Sequence, residues 1–176
     1  MRFVGIDPST KTGLVILDKH GEIVDTMEIT SERKDPQRMV EITEDVLFQL
    51  EPNDIIAIEG FAYRASGSAI SLQYGLGWAM RMGMFQRSHN YIEIAPTQLK
   101  KFASGKGNTK KDELAVHIFK RWGFEHPSDN VRDAFVLAQI AFTMQGHIAV
   151  QLTKAQSEVI QAIKNPEPKK KKGKVS

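Results

Sequence analysis

An α/β fold built on a mixed sheet of five strands is the architecture that this sequence predicts, and three observations predict it. Three β-branched, apolar segments follow one another at the N-terminus with tight turns between them. Helical and strand segments then alternate as far as residue 95, and two strand segments, Arg2–Asp7 and Asp54–Glu59, each end on a carboxylate. Successive hairpins make antiparallel pairs, whereas strands separated by helices add to a sheet in parallel, so the combined order is that of a mixed sheet with helices against it.

The elements follow in order. Arg2 to Asp7 and Gly13 to Asp18 are apolar and β-branched, with Pro8 to Thr12 as the turn of a hairpin. Lys19-His20-Gly21 turns the chain into Glu22 to Thr30, whose looser alternation suits an edge strand. Met39, Ile42, Val46, Leu47 and Leu50 stand at helical spacing from Pro36, and Pro52-Asn53 ends that helix. Ile55 to Glu59 is a short continuous apolar run, as in a central strand covered on both faces.

Ser68 to Arg87 reads as a helix whose Gly75, Gly77 and Gly83 mark close packing against a sheet or a second subunit. Tyr91 to Ala95 is the fifth strand, closed by Pro96, and a helical turn spans Thr97 to Phe102. A basic, glycine-containing loop from Ser104 to Lys111 follows, with Thr109 as the expected cap of a helix to Trp122. The Asp133 segment is a buried helix stopped by Gly146, and Val150 to Ile163 is a last helix. Residues 1–150 thus read as one folded body, 151–164 as a C-terminal helix, and 165–176 as a disordered, lysine-rich tail.

Composition narrows the function classes. A chain of 176 residues with 41% hydrophobic content supports one compact core. Cysteine is absent, which excludes disulfides, thiolate zinc sites and a cysteine nucleophile and leaves oxygen and imidazole as ligands. No secretory signal or membrane-length apolar run is present, so a soluble, cytoplasmic protein without a membrane partner is expected. The formal charge of +3 is uneven: the last eight residues hold five lysines and no acid, leaving 19 basic against 21 acidic side chains in the body. A polyanion would therefore be met by a local patch and by the tail, the tail adding salt-sensitive, sequence-independent affinity.

Chemistry concentrates in the acids. Asp7 and Glu59 end two strands, and Asp129 and Asp133 open a late helix at a spacing that puts both on one face. Carboxylates that converge from separate elements suit hard divalent cations such as magnesium, and a site for two cations is the usual device for cutting a nucleic-acid backbone. Such a cluster is electrostatically sensible only with cations bound, because neighbouring carboxylates raise one another's pKa. Asp129 has an alternative role as a helix N-cap, and Asp7 as a turn-initiating acid. Lys106, Lys110 and Lys111 lie where ammonium and free backbone N–H groups meet phosphate, or else in a merely solvated loop.

Four ordered motifs also carry a resemblance. Gly5-Ile-Asp-Pro-Ser-Thr-Lys-Thr-Gly13, Ala57-Ile-Glu-Gly-Phe61, Pro96-Thr-Gln-Leu-Lys-Lys101 with Gly105-Lys-Gly-Asn108, and Asp133-Ala-Phe-Val-Leu-Ala138 resemble the RuvC family of Holliday-junction resolvases, across about residues 1 to 147. The resemblance implies a ribonuclease H-like fold and a homodimer that nicks four-way or other branched DNA in pairs, leaving 5′-phosphates. It implies two Mg2+ per site, with Mn2+ as substitute, held by Asp7, Glu59, Asp133 and one further ligand. The family pattern has an acid or histidine three residues before the last aspartate, and Asn130 stands there in this chain. Asp129 is favoured over Asn130 because a charged oxygen binds a hard cation more strongly. The family also stacks an aromatic at the opened crossover, a role open to Phe61 or Tyr63 because the loop is one residue shorter than the pattern. The tail is similar to that of phage-encoded members.

Rival readings differ in class. A junction-binding architectural protein without cleavage follows if Asn130 has replaced an essential acid. A nucleotide-dependent phosphotransferase requires two such domains, so no nucleotide cofactor is expected. The histidines, including His89, His117, His126 and His147, show no zinc-ligand spacing. Met80-Arg-Met-Gly-Met84 reads as adaptable packing, and Arg64 and Arg87 as surface residues in preference to contacts with backbone phosphate.

Overall fold

The computed structural model describes residues 1–61, 69–146 and 151–166. Tyr63, Arg64, His147 and the lysine-rich tail lie outside these. The described elements are β1 (Phe3–Asp7), β2 (Lys11–Leu17), β3 (Ile23–Thr30), α1 (Gln37–Phe48), β4 (Ile55–Glu59), α2 (Ala69–Gln86), β5 (Tyr91–Ile94), α3 (Pro96–Ser104), α4 (Lys111–Trp122), α5 (Asp129–Met144) and α6 (Lys154–Lys164). The sheet runs β3-β2-β1-β4-β5, with the hairpin pairs antiparallel and β1-β4 and β4-β5 parallel. The mixed sheet and the edge position of β3 match the reading from sequence.

Strand alternation divides the core into two layers. Val4, Ile6, Leu14, Ile16, Ile56 and Ile58 pack with α1 and α2 on one face. Phe3, Val15, Leu17, Ala57 and Ile94 pack with α3, α4, α5 and α6 on the other. Each fully buried Leu, Ile or Phe contributes about 1.5–3 kcal/mol relative to exposure.

Two glycines let α5 lie directly on the sheet. A β-carbon on Gly5 would stand 1.9 Å from the Ala134 carbonyl oxygen, and one on Gly13 would stand 2.0 Å from that of Asn130. The α2 glycines are close-packing positions, but Gly75 and Gly83 pack against a helix rather than against the expected sheet or second subunit: Gly75 faces Met39 and Gly83 faces Leu47, both on α1.

Two helix starts differ from the expectation: α6 begins at Lys154, with residues 151–153 outside the helix, and α4 lacks its expected cap. Thr109 does not cap α4; Lys110 occupies that position without a side-chain bond. The Thr109 hydroxyl is turned into the preceding loop, where it donates to the Lys106 carbonyl (2.9 Å) and pairs with Ser104 Oγ (2.6 Å). At α5 the cap is Ser128, which accepts from the Val131 N–H, so Asp129 is the first helical residue rather than the cap. α6 begins with a reciprocal Thr153–Gln156 cap and docks on α3 through Val159, Ile160 and a Lys101–Glu158 ion pair of 2.8 Å.

Candidate active site

Asp7 and Glu59 are in phase with the residues of β1 and β4 that face α5, since Phe3 and Ala57 belong to that layer and side chains alternate along a strand. They end neighbouring parallel strands, so both carboxylates emerge at one end of the sheet, beneath the first turns of α5. Asp7 is only 5% exposed, and the two side chains are hydrogen-bonded to each other. The contact at Gly5 seats Ala134, and with it the adjacent Asp133, over this pair.

Electrostatics reflect that crowding. Burial pushes Glu59 up to about 7, and the charge of Asp133 pushes the same way, while its hydrogen bond with Asp7 works against the rise. Burial likewise raises Asp133 to about 7, with Asp7 adding to the effect. Asp7 is raised well above its ordinary value by burial and then by the Glu59 charge. Asp129 behaves oppositely: its ion pair with Lys111 holds it below the usual carboxylate range.

Lys111 is the principal cation over the cluster, pairing with Asp129 and attracted by Asp133 and Asp7. Lys100 on α3 adds a second positive field at Glu59 and Asp133. Among the described residues, no three acidic or histidine side chains stand close enough together to hold one ion as placed. Asp7 and Glu59 share a hydrogen bond, Asp129 is drawn to Lys111, and Asp133 acts on the pair through space.

Asn130 is engaged elsewhere. Its amide nitrogen donates to the Lys11 carbonyl (2.7 Å) and to Ser9 Oγ (3.1 Å), tying α5 to the turn that follows Asp7. That turn is closed by Thr12, whose hydroxyl donates to the Ser9 carbonyl (2.6 Å). The Ser104–Thr109 pairing shapes the basic loop, from which Lys106 and Lys110 project into solvent. Phe61 is partly buried against Tyr74 and Trp78, its ring 4.4 Å beneath the Arg81 guanidinium. Arg87 pairs with Glu44, His117 lies 3.7 Å from Glu113, and His126 Nδ1 accepts the Ser128 N–H (3.1 Å).

The reading from sequence named Lys111 for DNA but missed its place among the carboxylates, and it missed Lys100 and Arg81. Lys100 belongs to the Pro96–Lys101 motif, on the helix that follows β5. Arg81 was hidden inside the methionine-rich stretch.

The sequence matches the family described as Crossover junction endodeoxyribonuclease RuvC over residues 3–141. The chain belongs to the RuvC family. The RuvC of Aliarcobacter butzleri is 30% identical over 125 residues, covering 67% of this chain and 81% of that protein. The RuvC of Synechococcus sp. (strain WH7803) is 26% identical over 148 residues, covering 78% and 96%. In fold, the chain is similar to Thermus thermophilus RuvC solved with a Holliday-junction substrate, at a TM-score of 0.64 and 23% identity, covering 83% of this chain and 96% of that one. The architecture is that of RuvC, the ribonuclease H-like fold. The matched stretch includes every carboxylate of the cluster together with Lys100 and Lys111, whereas α6 lies beyond it.

Proposed function

We propose that this chain is a metal-dependent, structure-selective endonuclease that resolves four-way DNA junctions, and other branched DNA, by paired nicks leaving 5′-phosphates. The observation that carries the reading is the buried Asp7–Glu59 contact at the ends of adjacent parallel strands, with Asp133 above it. Membership of a family of crossover junction endodeoxyribonucleases supplies the substrate class.

The residues fit hard divalent cations. The donors are carboxylate oxygens, three of them hold protons more tightly than usual, and the side chains that oppose the cluster are lysines rather than a buried arginine partner. Asp7, Glu59 and Asp133 would hold the ions, with Asp129 joining when Lys111 releases it. Magnesium, two ions to a site, with manganese as substitute, would supply polarisation of the scissile phosphate and of the attacking water. The chain's own residues do the rest. Burial of Asp7 and partial burial of Glu59 restrict the access of bulk water and limit their orientations, and Lys100 and Lys111 attract the backbone phosphate to the carboxylate rim. Lys106 and Lys110 neutralise neighbouring phosphates, and Phe61 or Tyr63 stacks at the crossover.

Paired nicks require two sites related by symmetry, and α2 offers the face for a homodimer. Trp78, Met82 and Phe85 follow one another at helical spacing on its outer side, with Phe85 81% exposed. Residues 1–150 constitute the nuclease unit in this reading. No described helix is long and apolar enough to cross a membrane, and the work assigned here belongs in the cytoplasm.

The direct test offers synthetic four-way junctions, flaps, forks and linear duplex side by side with magnesium, and compares wild type with Glu59→Gln. Wild type should cut branched DNA in preference to duplex, while the variant binds without cutting. A second reading, junction binding without cleavage, draws on Asn130, which replaces the pattern's acid and is bound to the β1–β2 turn. Binding in EDTA with no cutting after magnesium or manganese is added would select it.

A further inference from the structure

Arg81 is the most deeply buried cation of the described chain, 3% exposed, and nothing in the proposed chemistry uses it. It rises from α2 on the sheet face opposite the carboxylates. One nitrogen, Nη2, donates to the Glu59 carbonyl oxygen (2.9 Å) and to Glu93 Oε2 (2.8 Å). Nε donates to the same Glu93 oxygen (3.0 Å), and Nη1 donates to the Gly77 carbonyl of its own helix (2.9 Å). The guanidinium plane lies 4.4 Å over the Phe61 ring.

These contacts converge on one short stretch. Glu59 pairs with Ile94 across β4 and β5, and Glu93 precedes it, so Arg81 bridges the last rungs of two parallel strands from below. Immediately beyond, the Gly60 N–H donates to the Ile94 carbonyl (2.7 Å), and Phe61 turns back under Arg81. A buried arginine is costly unless its donors and charge are met, and here Glu93 supplies the charge and two carbonyls complete the set. The side-chain direction of Glu59 depends on the backbone of residues 59 to 61, and Arg81 fixes that backbone.

We infer that Arg81 is a positioning residue: through the Glu59 carbonyl and the Phe61 ring it sets the Glu59 carboxylate for cation binding and holds Phe61 at the rim of the DNA site. The inference rests on the nuclease reading above. A planar fork is needed because three separate acceptors and a ring are served at once, which an ammonium group cannot do.

The test compares Arg81→Met, Arg81→Lys and Glu93→Gln with wild type and Glu59→Gln, all as full chains. Arg81→Met should raise the magnesium concentration for half-maximal junction cleavage by about tenfold, and it should also weaken junction affinity in calcium because Phe61 loses its support. Amide exchange at Gly60 should accelerate by about tenfold or more in the absence of metal and DNA, a readout independent of activity. Arg81→Lys and Glu93→Gln should fall between wild type and Arg81→Met in both measurements, and they carry the test if Arg81→Met does not fold. A folded Arg81 variant with unchanged magnesium dependence and unchanged exchange at Gly60 overturns the inference, as does a fall in melting temperature alone. Normal cutting by Glu59→Gln would instead overturn the nuclease site and leave the Arg81 contact to be judged by exchange.

Discussion

Gly5 of β1 and Ala134 of α5 are in such close approach that a single methyl group on Gly5 would collide with the Ala134 backbone. The helix that carries Asp129 and Asp133 is seated by that contact, and by the equivalent one at Gly13, so its acids are brought over the Asp7–Glu59 end of the sheet because two positions lack side chains. Gly5→Ala should therefore destabilise the fold by about 3 kcal/mol and abolish junction cleavage. Urea unfolding and a cleavage assay measure the two effects; a variant that is both stable and active would show that α5 is not held this way.

Metal and pH should act on stability together. Glu59 and Asp133 hold protons up to about 7 in the folded chain, against ordinary values of 4.5 and 3.8. The folded state binds more protons than the unfolded one in that window, so these groups favour folding at low pH, and their contribution is lost as pH rises through about 7. Glu59→Gln should accordingly stabilise the metal-free protein by about 2 kcal/mol near pH 8 and hardly at all near pH 4. Magnesium should raise the melting temperature of wild type at the higher pH and little at the lower. Equal effects at both pH values would contradict the assignment.

Asp129 and Asn130 should separate cleanly. Asn130→Ala removes two hydrogen bonds to the β1–β2 turn and should cost about 1–3 kcal/mol in urea unfolding. Asp129→Asn releases Lys111 while leaving that turn intact. If Asp129 is a ligand, its variant loses cleavage while binding junctions normally; an unimpaired cutting rate removes it from the site.

The α2 face is open to a direct check by sedimentation. Met82→Glu combined with Phe85→Glu places charge on an exposed apolar stripe, where a monomer would tolerate it and a dimer would not. The expected result is a monomer that has lost paired nicking. Retention of the dimer would move the interface elsewhere.

Salt dependence isolates the basic loop. Replacing Lys106 and Lys110 by Ala should weaken junction binding at low salt and reduce the slope of log affinity against log salt by about 2. An unchanged slope would mean that neither ammonium group meets phosphate.

The sheet was legible because its strands are marked twice, by apolar residues and by the glycines and prolines between them. Asp7 and Glu59 could be placed at the ends of two strands from the apolar runs that precede them, and α5 from its own apolar run. What sequence could not show is which partner each polar side chain chooses in space. Thr109 has the composition of a cap, but Ser104 and the Lys106 carbonyl were closer competitors. Asp129 reads as a ligand or a cap, yet Lys111, remote in sequence, engages it. Arg81 lies between two methionines, and its acceptors come from β4 and β5 as well as from its own helix. Long-range pairing of charges leaves no local periodicity, so these features emerge only with the fold.

The hydrogen bond between Asp7 and Glu59 has a consequence for the proposed cations. With one proton standing where a divalent ion would later neutralise the charge, the chain can finish folding in a medium poor in magnesium. On the nuclease reading, loading would be an exchange of hydrogen ion for metal, so adding magnesium below neutrality should acidify an unbuffered solution.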